Sequence, residues 1–309
     1  MITRIGILGI GGVGGFIGGR LAVAYANSDD IEIVFIPRPR KVELLRSRGL
    51  KIIVDTDETV VHPHLVSADP EEIGVLDVLI CSTKSYDIVS ALQPLAPCIQ
   101  AKTLILPLLN GVDSVEHIRE MFPHAQVADG CIYIVARILE PGVIKVGGYS
   151  HALHFGGKGI SRERLEKLQR ILSSAGINAA VHDHIKEVVW EKFFFISALA
   201  SLTSYLDLPV GKIMENEEYK DMLKGLLSEF LTVAKASGIN LGEGIFDKVW
   251  DKMQHLPYET TSSMHGDFKK GGQTEYRSLT KYICDLGDSL NIETPVYDRI
   301  LKAFTASQN

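Results

Sequence analysis

At 309 residues the chain holds one large domain or two ordinary ones. Its 46% hydrophobic and 23% charged residues are the balance of a globular protein with a core, which excludes a disordered chain. A net charge of −6 argues against a broad basic face for nucleic acid. The longest nearly uncharged apolar run, Phe193–Leu202, is about half the roughly 20 residues that span a bilayer, so no membrane partner is expected. Cys81, Cys98, Cys131 and Cys284 are scattered, with no CxxC pair and no metal-like cluster with histidine. They read as reduced, buried thiols of a cytoplasmic protein. The opening MITRIGILGIGG is too short and too glycine-broken for a signal peptide and reads as a strand.

In chain order, Ile5–Leu8, Ile31–Ile36, Val75–Cys81 and Thr103–Leu109 are short runs rich in Val, Ile and Leu, as buried parallel strands are. Helical or loop stretches separate them: Phe16–Asn27, Arg40–Arg48, Ser85–Pro94 and Ser114–Met121. This alternation predicts an α/β domain, a parallel sheet with helices on its faces. Cys131–Ala136, Gly142–Val146 and Ala152–Phe155 lie close together between Pro-Gly and Gly-Gly breaks and predict an antiparallel extension of that sheet. Arg162–Ser174 reads as a helix and Ile177–Val181 as a last strand. Beyond about His184 strand signals all but vanish. Tyr219, Met222, Leu223, Leu226, Leu227, Phe230, Val233 and Ala234 form a core-facing helical stripe, and Tyr276, Leu279, Ile283, Leu286 and Leu290 form another. The expected division is residues 1–182 as a dinucleotide-binding domain and 183–309 as an all-helical domain for substrate and dimerisation.

The strand Ile5–Leu8 runs into Gly9-Ile10-Gly11-Gly12-Val13-Gly14, and a helical stretch follows. This is GxGxxG between a strand and a helix: a glycine for the tight turn, one for close approach to a pyrophosphate, one for helix–strand packing. The helix start adds unpaired amides and a positive dipole end. NAD-selective folds carry a carboxylate near the end of the second strand for the ribose 2′-hydroxyl. Here that strand ends Ile36-Pro37-Arg38-Pro39-Arg40-Lys41, and Glu32 comes too early. Arg38 suits a 2′-phosphate, which favours NADP(H) over NAD(H).

Ligands of open α/β sheets sit outside the carboxyl ends of strands. Two such ends carry Ser82-Thr83-Lys84 and Asn110-Gly111. Lys84 suits a phosphate, the nicotinamide ribose or a substrate anion, and otherwise reads as a solvated lysine. Asn110 suits the substrate or the nicotinamide ribose, although Asn-Gly is also a common turn. His184–Leu202 is apolar nearly all round, yet Lys192 sits inside it between Val188, Val189, Phe195 and Ile196. A lysine there must snorkel, pair or reach a polar cavity. A desolvated ammonium gives up its proton more readily, as a general acid must. Glu191 is the competing candidate. Thr260-Thr261-Ser262-Ser263 offers donors to a carboxylate or caps a helix. Gly271-Gly272-Gln273-Thr274 opens the last long helix, with Glu275 in its first turn.

The ordered series of GxGxxG, basic end of strand two, Thr-Lys, Asn-Gly, Trp-Glu-Lys, Ser-Ser-Met and Thr-Glu-Tyr resembles the ketopantoate reductase family over essentially the whole chain. The resemblance implies a Rossmann-type domain followed by a helical one, with the active site in the cleft between them. It implies NADPH-dependent reduction of 2-dehydropantoate to (R)-pantoate, on the way to pantothenate and coenzyme A. Gly9, Ile10, Gly11, Gly12, Val13 and Gly14 match the cofactor turn, and Arg38 falls on the 2′-phosphate arginine. Lys84, Asn110 and Ala136 match cofactor contacts, and Asn110 also faces substrate. Lys192 falls on the catalytic lysine and Ser263 on a substrate serine. Glu275 falls on a catalytic glutamate that touches substrate and cofactor. A homodimer is the assembly the resemblance implies.

The series departs from the family pattern in four places. Ile196 and Ala200 stand one and two turns after the lysine where the pattern has asparagines, and Val210 and Thr260 stand at two further asparagine positions. Losing hydrogen-bond partners costs a polar substrate dearly. An NADPH-dependent reductase of a less polar 2-oxo acid is therefore the alternative reading, and a non-catalytic NADPH-binding sensor is a further one.

Overall fold

Short aliphatic runs become strands in the first half of the chain, and the stretches between them become helices. In the computed structural model, which describes residues 3–147 and 151–308, their order begins β1 (Thr3–Leu8), α1 (Gly12–Ala24), β2 (Ile31–Ile36), α2 (Val42–Arg48). It continues β3 (Leu50–Val54), β4 (Asp57–Val61), β5 (Leu65–Val66), α3 (Pro70–Ile73), β6 (Val78–Cys81), α4 (Ile88–Leu92). Then come β7 (Leu104–Pro107), α5 (Asp113–Met121), β8 (Gln126–Val127), β9 (Asp129–Tyr133), β10 (Ala136–Glu140), β11 (Val143–Val146), β12 (Ala152–Gly156), α6 (Arg162–Ser174) and β13 (Ala179–Val181). The rest is helical: α7 (Ile185–Leu206), α8 (Val210–Met214), α9 (Glu217–Ala236), α10 (Ile245–Gln254), α11 (Ser263–Lys269), α12 (Tyr282–Ser289) and α13 (Pro295–Gln308). The chain divides into two units, Met1–Leu109 with Ser114–Ile185, and Asn110–Asp113 with Lys186–Asn309.

The first unit is built on a six-stranded sheet of order β5-β2-β1-β6-β7-β8, with every neighbouring pair parallel. This is the doubly wound α/β order, and its direction reverses between β1 and β6. β6 and β7 are buried along their whole length, which explains their unbroken aliphatic sequence. The antiparallel pairing expected after residue 130 is present, but in separate small sheets that do not prolong the parallel one. β10 pairs antiparallel with β11 in the mixed sheet β10-β11-β3-β4, and β9 with β12 in the sheet β13-β12-β9. The β3–β4 hairpin escapes sequence reading because β4, Asp-Glu-Thr-Val-Val, is exposed at all but its last residue. Helix α1 begins at Gly12, ahead of the expected Phe16, and its glycines are held close to neighbours. A Cβ on Gly15 would come 2.9 Å from Ile144, and one on Gly19 2.0 Å from Ile52.

Arg4 and Glu32 face each other across β1 and β2, with guanidinium Nε donating to Oε2 at 2.7 Å and Nη2 to Oε1 at 2.9 Å. Glu32 is thus engaged at the amino end of β2, away from the strand end where a ribose would lie. The hydrogen bonds from Arg4 hold the Glu32 carboxyl below the usual carboxylate range. Its stabilising contribution is therefore full above the ordinary glutamate pKa and is lost as pH falls through the depressed folded value. Replacing Glu32 with glutamine lowers stability at neutral pH by up to about 1 kcal/mol, since the pair is partly exposed. Denaturant unfolding at neutral and acid pH checks this: the difference from wild type disappears in acid.

The second unit has a core of its own. The stripe expected on residues 219–234 is the buried face of α9, with Met222, Leu223, Leu226, Leu227, Phe230, Val233 and Ala234 inward. Trp190 and Phe193 of α7 pack edge-on against Phe230 and lie beside Tyr282. The helix opened by Gly271-Gly272 is not the last, because α13 follows it. Glu229 of α9 receives the first amides of α13, from Val296 at 2.9 Å and Tyr297 at 3.1 Å. Among the described residues no helix is long and apolar enough to cross a membrane.

Candidate active site

The predicted site residues divide between the two units: Gly9–Gly14, Arg38, Lys84 and Ala136 in the first, Asn110, Lys192, Ser263 and Glu275 in the second. In the first, the turn after β1 lies at the sheet's reversal point. Gly9 has φ +90, and a Cβ there would fall 2.9 Å from the Thr83 amide nitrogen. The Ser82 hydroxyl, from the end of β6, donates to the carbonyls of Leu8 and Gly9 at 3.1 and 2.8 Å. A Cβ on Gly14 would stand 2.0 Å from the Gly9 oxygen and 2.1 Å from Ser82 Oγ. A Cβ on Gly12 would stand 2.6 Å from the Ala136 carbonyl oxygen, which puts Ala136 beside the same turn. Gly11 differs from these, because a Cβ there meets nothing within 4 Å.

That open side lies at the N-cap of α1, whose first amides receive no side-chain cap. Thr83 Oγ1, next to Gly9, is buried with no protein partner. A glycine-lined cradle, free helix amides and a spare hydroxyl fit a dinucleotide pyrophosphate. Arg38 is exposed just beyond β2 and bonds Asp87, which the sequence reading did not single out. Lys84 leads into the turn preceding α4, its carbonyl accepting from the Asp87 amide at 3.0 Å.

In the second unit Lys192 Nζ donates to Asn110 Oδ1 at 3.2 Å. Lysine and asparagine thus meet although 82 residues separate them. The rival Glu191 instead binds Lys248 of α10 at 2.6 Å. Residues 110–113 are clamped in place. Gly111 takes φ +89, a Cβ there would lie 3.2 Å from the Ser278 carbonyl, and Ser278 Oγ donates to Asp113 Oδ2 at 2.7 Å. Ser278 lies in a single π-helical turn, Arg277–Lys281, directly after Glu275 and Tyr276. Such turns inside α-helices are frequent at functional sites. The same turn is stitched to α7: Ser197 donates to the Leu279 carbonyl at 2.6 Å, and Ser201 meets Thr280 at 2.8 Å. Asp113 and Ser278 carry no motif by which sequence reasoning finds them.

Glu275 is buried, at the start of this helical segment. Ser263 is exposed at the first position of α11, while its neighbour Ser262 is the helix cap, accepting from the His265 amide at 3.0 Å. Ile196 follows Lys192 by one turn, and Ala200 and Val210 are buried. The Val210 amide donates to the Thr260 carbonyl at 2.9 Å, so those two departures from the family pattern are adjacent. All four cysteines are buried and outside any disulfide, and desolvation pushes the Cys284 thiol up to about 12, so that one offers no ready thiolate.

Replacing Ser278 with alanine leaves the partly buried Asp113 carboxylate short of its donor, which costs about 1–3 kcal/mol. Asn110 then loses its fixed position. The expected result is a lower unfolding midpoint together with a fall in kcat, both restored by Ser278→Thr, measured by thermal unfolding and steady-state kinetics.

Two family models match the chain in succession, ketopantoate reductase PanE/ApbA over residues 5–158 and ketopantoate reductase PanE/ApbA C terminal over residues 184–308. The uncharacterized oxidoreductase YkpB of Bacillus subtilis is 28% identical over 295 residues, 95% of each chain. The crystal structure of 2-dehydropantoate 2-reductase from Porphyromonas gingivalis is similar at a TM-score of 0.86 and 29% identity, over 99% of this chain and 100% of that one. A D-mandelate dehydrogenase, solved with NADH and anilino(oxo)acetate, shares the fold at a TM-score of 0.88 and 23% identity, over 99% and 98% of the two chains. With both halves of the chain matched in order, the protein belongs to the ketopantoate reductase family, NAD(P)-dependent oxidoreductases that act on a CH–OH group.

Proposed function

We propose that this protein reduces a 2-oxo acid to the 2-hydroxy acid with NADPH, and that 2-dehydropantoate, giving (R)-pantoate for pantothenate synthesis, is its substrate. The observation that carries the reading is the bond from Lys192, in a largely apolar stretch of α7, to Asn110. A lysine held by a neutral amide keeps its ammonium protons directed and available. NADPH, when bound, supplies the hydride that reduces the carbonyl carbon. Lys192 stabilises the negative charge that builds on the carbonyl oxygen and donates the proton that makes it a hydroxyl. Asn110 orients Lys192 and the substrate, Ser263 binds the carboxylate, and Glu275 holds the substrate's hydroxyl end.

On the cofactor side, Gly9, Ile10, Gly11, Gly12, Val13 and Gly14 receive the pyrophosphate, with Ala136 beside the turn. Lys84 and Asn110 hold the nicotinamide ribose or phosphate. Arg38 takes the 2′-phosphate, because β2 ends without a carboxylate and Glu32 is occupied by Arg4.

A second reading has its own support. Ile196, one turn from Lys192, and the buried Ala200 and Val210 replace hydrogen-bonding residues by apolar ones, which favours a 2-oxo acid with an apolar side chain. Loss of NADPH or NADH absorbance with 2-dehydropantoate, branched 2-oxo acids and an aryl 2-oxo acid separates the two. Efficient turnover of 2-dehydropantoate supports the first reading. Turnover of only an apolar acid supports the second, and NADPH binding without turnover of any acid overturns both.

A further inference from the structure

The ion pair between Arg38 and Asp87 has no part in the function proposed above. Because β1 lies between β2 and β6, the segments leaving the carboxyl ends of β2 and β6 flank the glycine turn that leaves β1. Arg38 comes from one flank and Asp87 from the other, and Arg38 Nη2 donates to Asp87 Oδ2 across the 49 residues between them. Asp87 closes the helical turn Ser85–Asp87 that leads directly into α4, with helical backbone angles of φ −99 and ψ −11. Its side chain makes no cap bond there and reaches Arg38 instead. The surroundings of Arg38 on its own loop are positive. Arg40 and Lys41 follow, and the Lys41 ammonium is held below the usual lysine range by burial, with Arg38 and Arg40 adding to the effect. Asp87 thus brings a carboxylate to a basic cluster from another strand end.

We propose that Asp87 is a specificity-determining residue for the cofactor, which weakens the preference for NADPH over NADH that Arg38 alone would impose. The proposal rests on the reading of Arg38 as the 2′-phosphate residue. A 2′-phosphate must share the guanidinium with the Asp87 carboxylate and is repelled by it. A ribose 2′-hydroxyl has no such conflict, because it donates and a carboxylate accepts. The guanidinium keeps further N–H donors when one is engaged, so Asp87 tunes the phosphate contact without abolishing it. An exposed pair of this kind shifts an equilibrium by up to about fivefold. The two effects act in opposite directions on the two cofactors, so the ratio of their affinities moves by their product, about tenfold for effects of roughly threefold each.

Calorimetric titration of the full chain with NADPH, NADH and 2′-AMP, a probe of the 2′-phosphate alone, tests this. Asp87→Asn keeps the side chain's shape on a half-buried turn and removes its charge. The expected result is tighter binding of NADPH and 2′-AMP, unchanged or weaker binding of NADH, and a NADPH-to-NADH preference raised by about tenfold. An unchanged or lowered preference overturns the proposal. Arg38→Ala separates its failure from failure of the cofactor reading. If Arg38→Ala leaves NADPH affinity unchanged, the 2′-phosphate assignment falls and the role of Asp87 falls with it. If Arg38→Ala weakens NADPH while Asp87→Asn leaves the preference alone, only the role of Asp87 falls.

Discussion

Replacing Lys192 with alanine lowers turnover by roughly 10²–10⁴-fold and leaves NADPH affinity within about twofold of wild type. Lys192 lies in the second unit, bonded to Asn110, whereas the phosphate-binding turn belongs to the first. The variant loses both the charge that stabilises the developing oxyanion and the proton donor, and neither interaction is fully made in the ground state. Removing it leaves Asn110 Oδ1 open to water, a small cost beside the chemistry. The fold tolerates the change because the helix is held by the Trp190, Phe193 and Phe230 cluster and by Ser197 and Ser201. Single-turnover kinetics with a 2-oxo acid, beside a titration with NADPH, measures both quantities. Turnover within a few-fold of wild type would remove Lys192 from the mechanism, and a parallel collapse of NADPH binding would reassign it to the cofactor.

The second large effect distinguishes two glycines of one turn. At Gly14 an added methyl meets the Gly9 carbonyl at 2.0 Å and Ser82 Oγ at 2.1 Å, both fixed parts of the strand ends. Gly14→Ala therefore displaces α1 from β1 and costs roughly 1–3 kcal/mol or more of stability. At Gly11 an added methyl meets no protein atom within 4 Å. Gly11→Ala changes stability by no more than about 1 kcal/mol, the difference between glycine and alanine at an N-cap. On the proposed placement of the cofactor, its methyl projects into the space the pyrophosphate takes. Hydrogen bonds to a charged group are worth about 1.5–3 kcal/mol, so losing them weakens NADPH binding by about 10–100-fold. Thermal unfolding and NADPH titration on the two variants check this. Weakened binding in Gly14→Ala with its stability intact, or full binding in Gly11→Ala, contradicts the placement of the cofactor.

Several elements were legible before any coordinates because their signals are local. The buried strands β6 and β7 require unbroken aliphatic runs, and α9 requires apolar residues every three to four positions, so each announces itself within its own length. The glycine turn is legible for the same reason, since the motif glycines Gly9, Gly11 and Gly14 meet three local steric demands. Lys192 stands out because a lysine in an apolar helix is an energetic anomaly wherever that helix packs. The β3–β4 hairpin was missed because its outer strand faces solvent and carries no apolar pattern. The strands after residue 130 were assigned to one sheet because alternation identifies a strand and says nothing of its neighbour.

The sequence by itself thus determined the α/β-then-helical architecture, the glycine turn between β1 and α1, the basic end of β2, and a lysine and an asparagine as candidates for the chemistry. Only the tertiary structure decided that Lys192 meets Asn110 across 82 residues, that Ser278 anchors Asp113 across 165, and that Asp87 meets Arg38 across 49. It also decided that Glu32 belongs to Arg4 and that Glu191 belongs to Lys248. The physical reason is one of range. Periodicity, sterics and desolvation act on a residue through its own segment, whereas a hydrogen bond between distant side chains exists only once strand order and helix packing bring the two together. Each such pair places a charge or a donor where the local chain alone could not hold it.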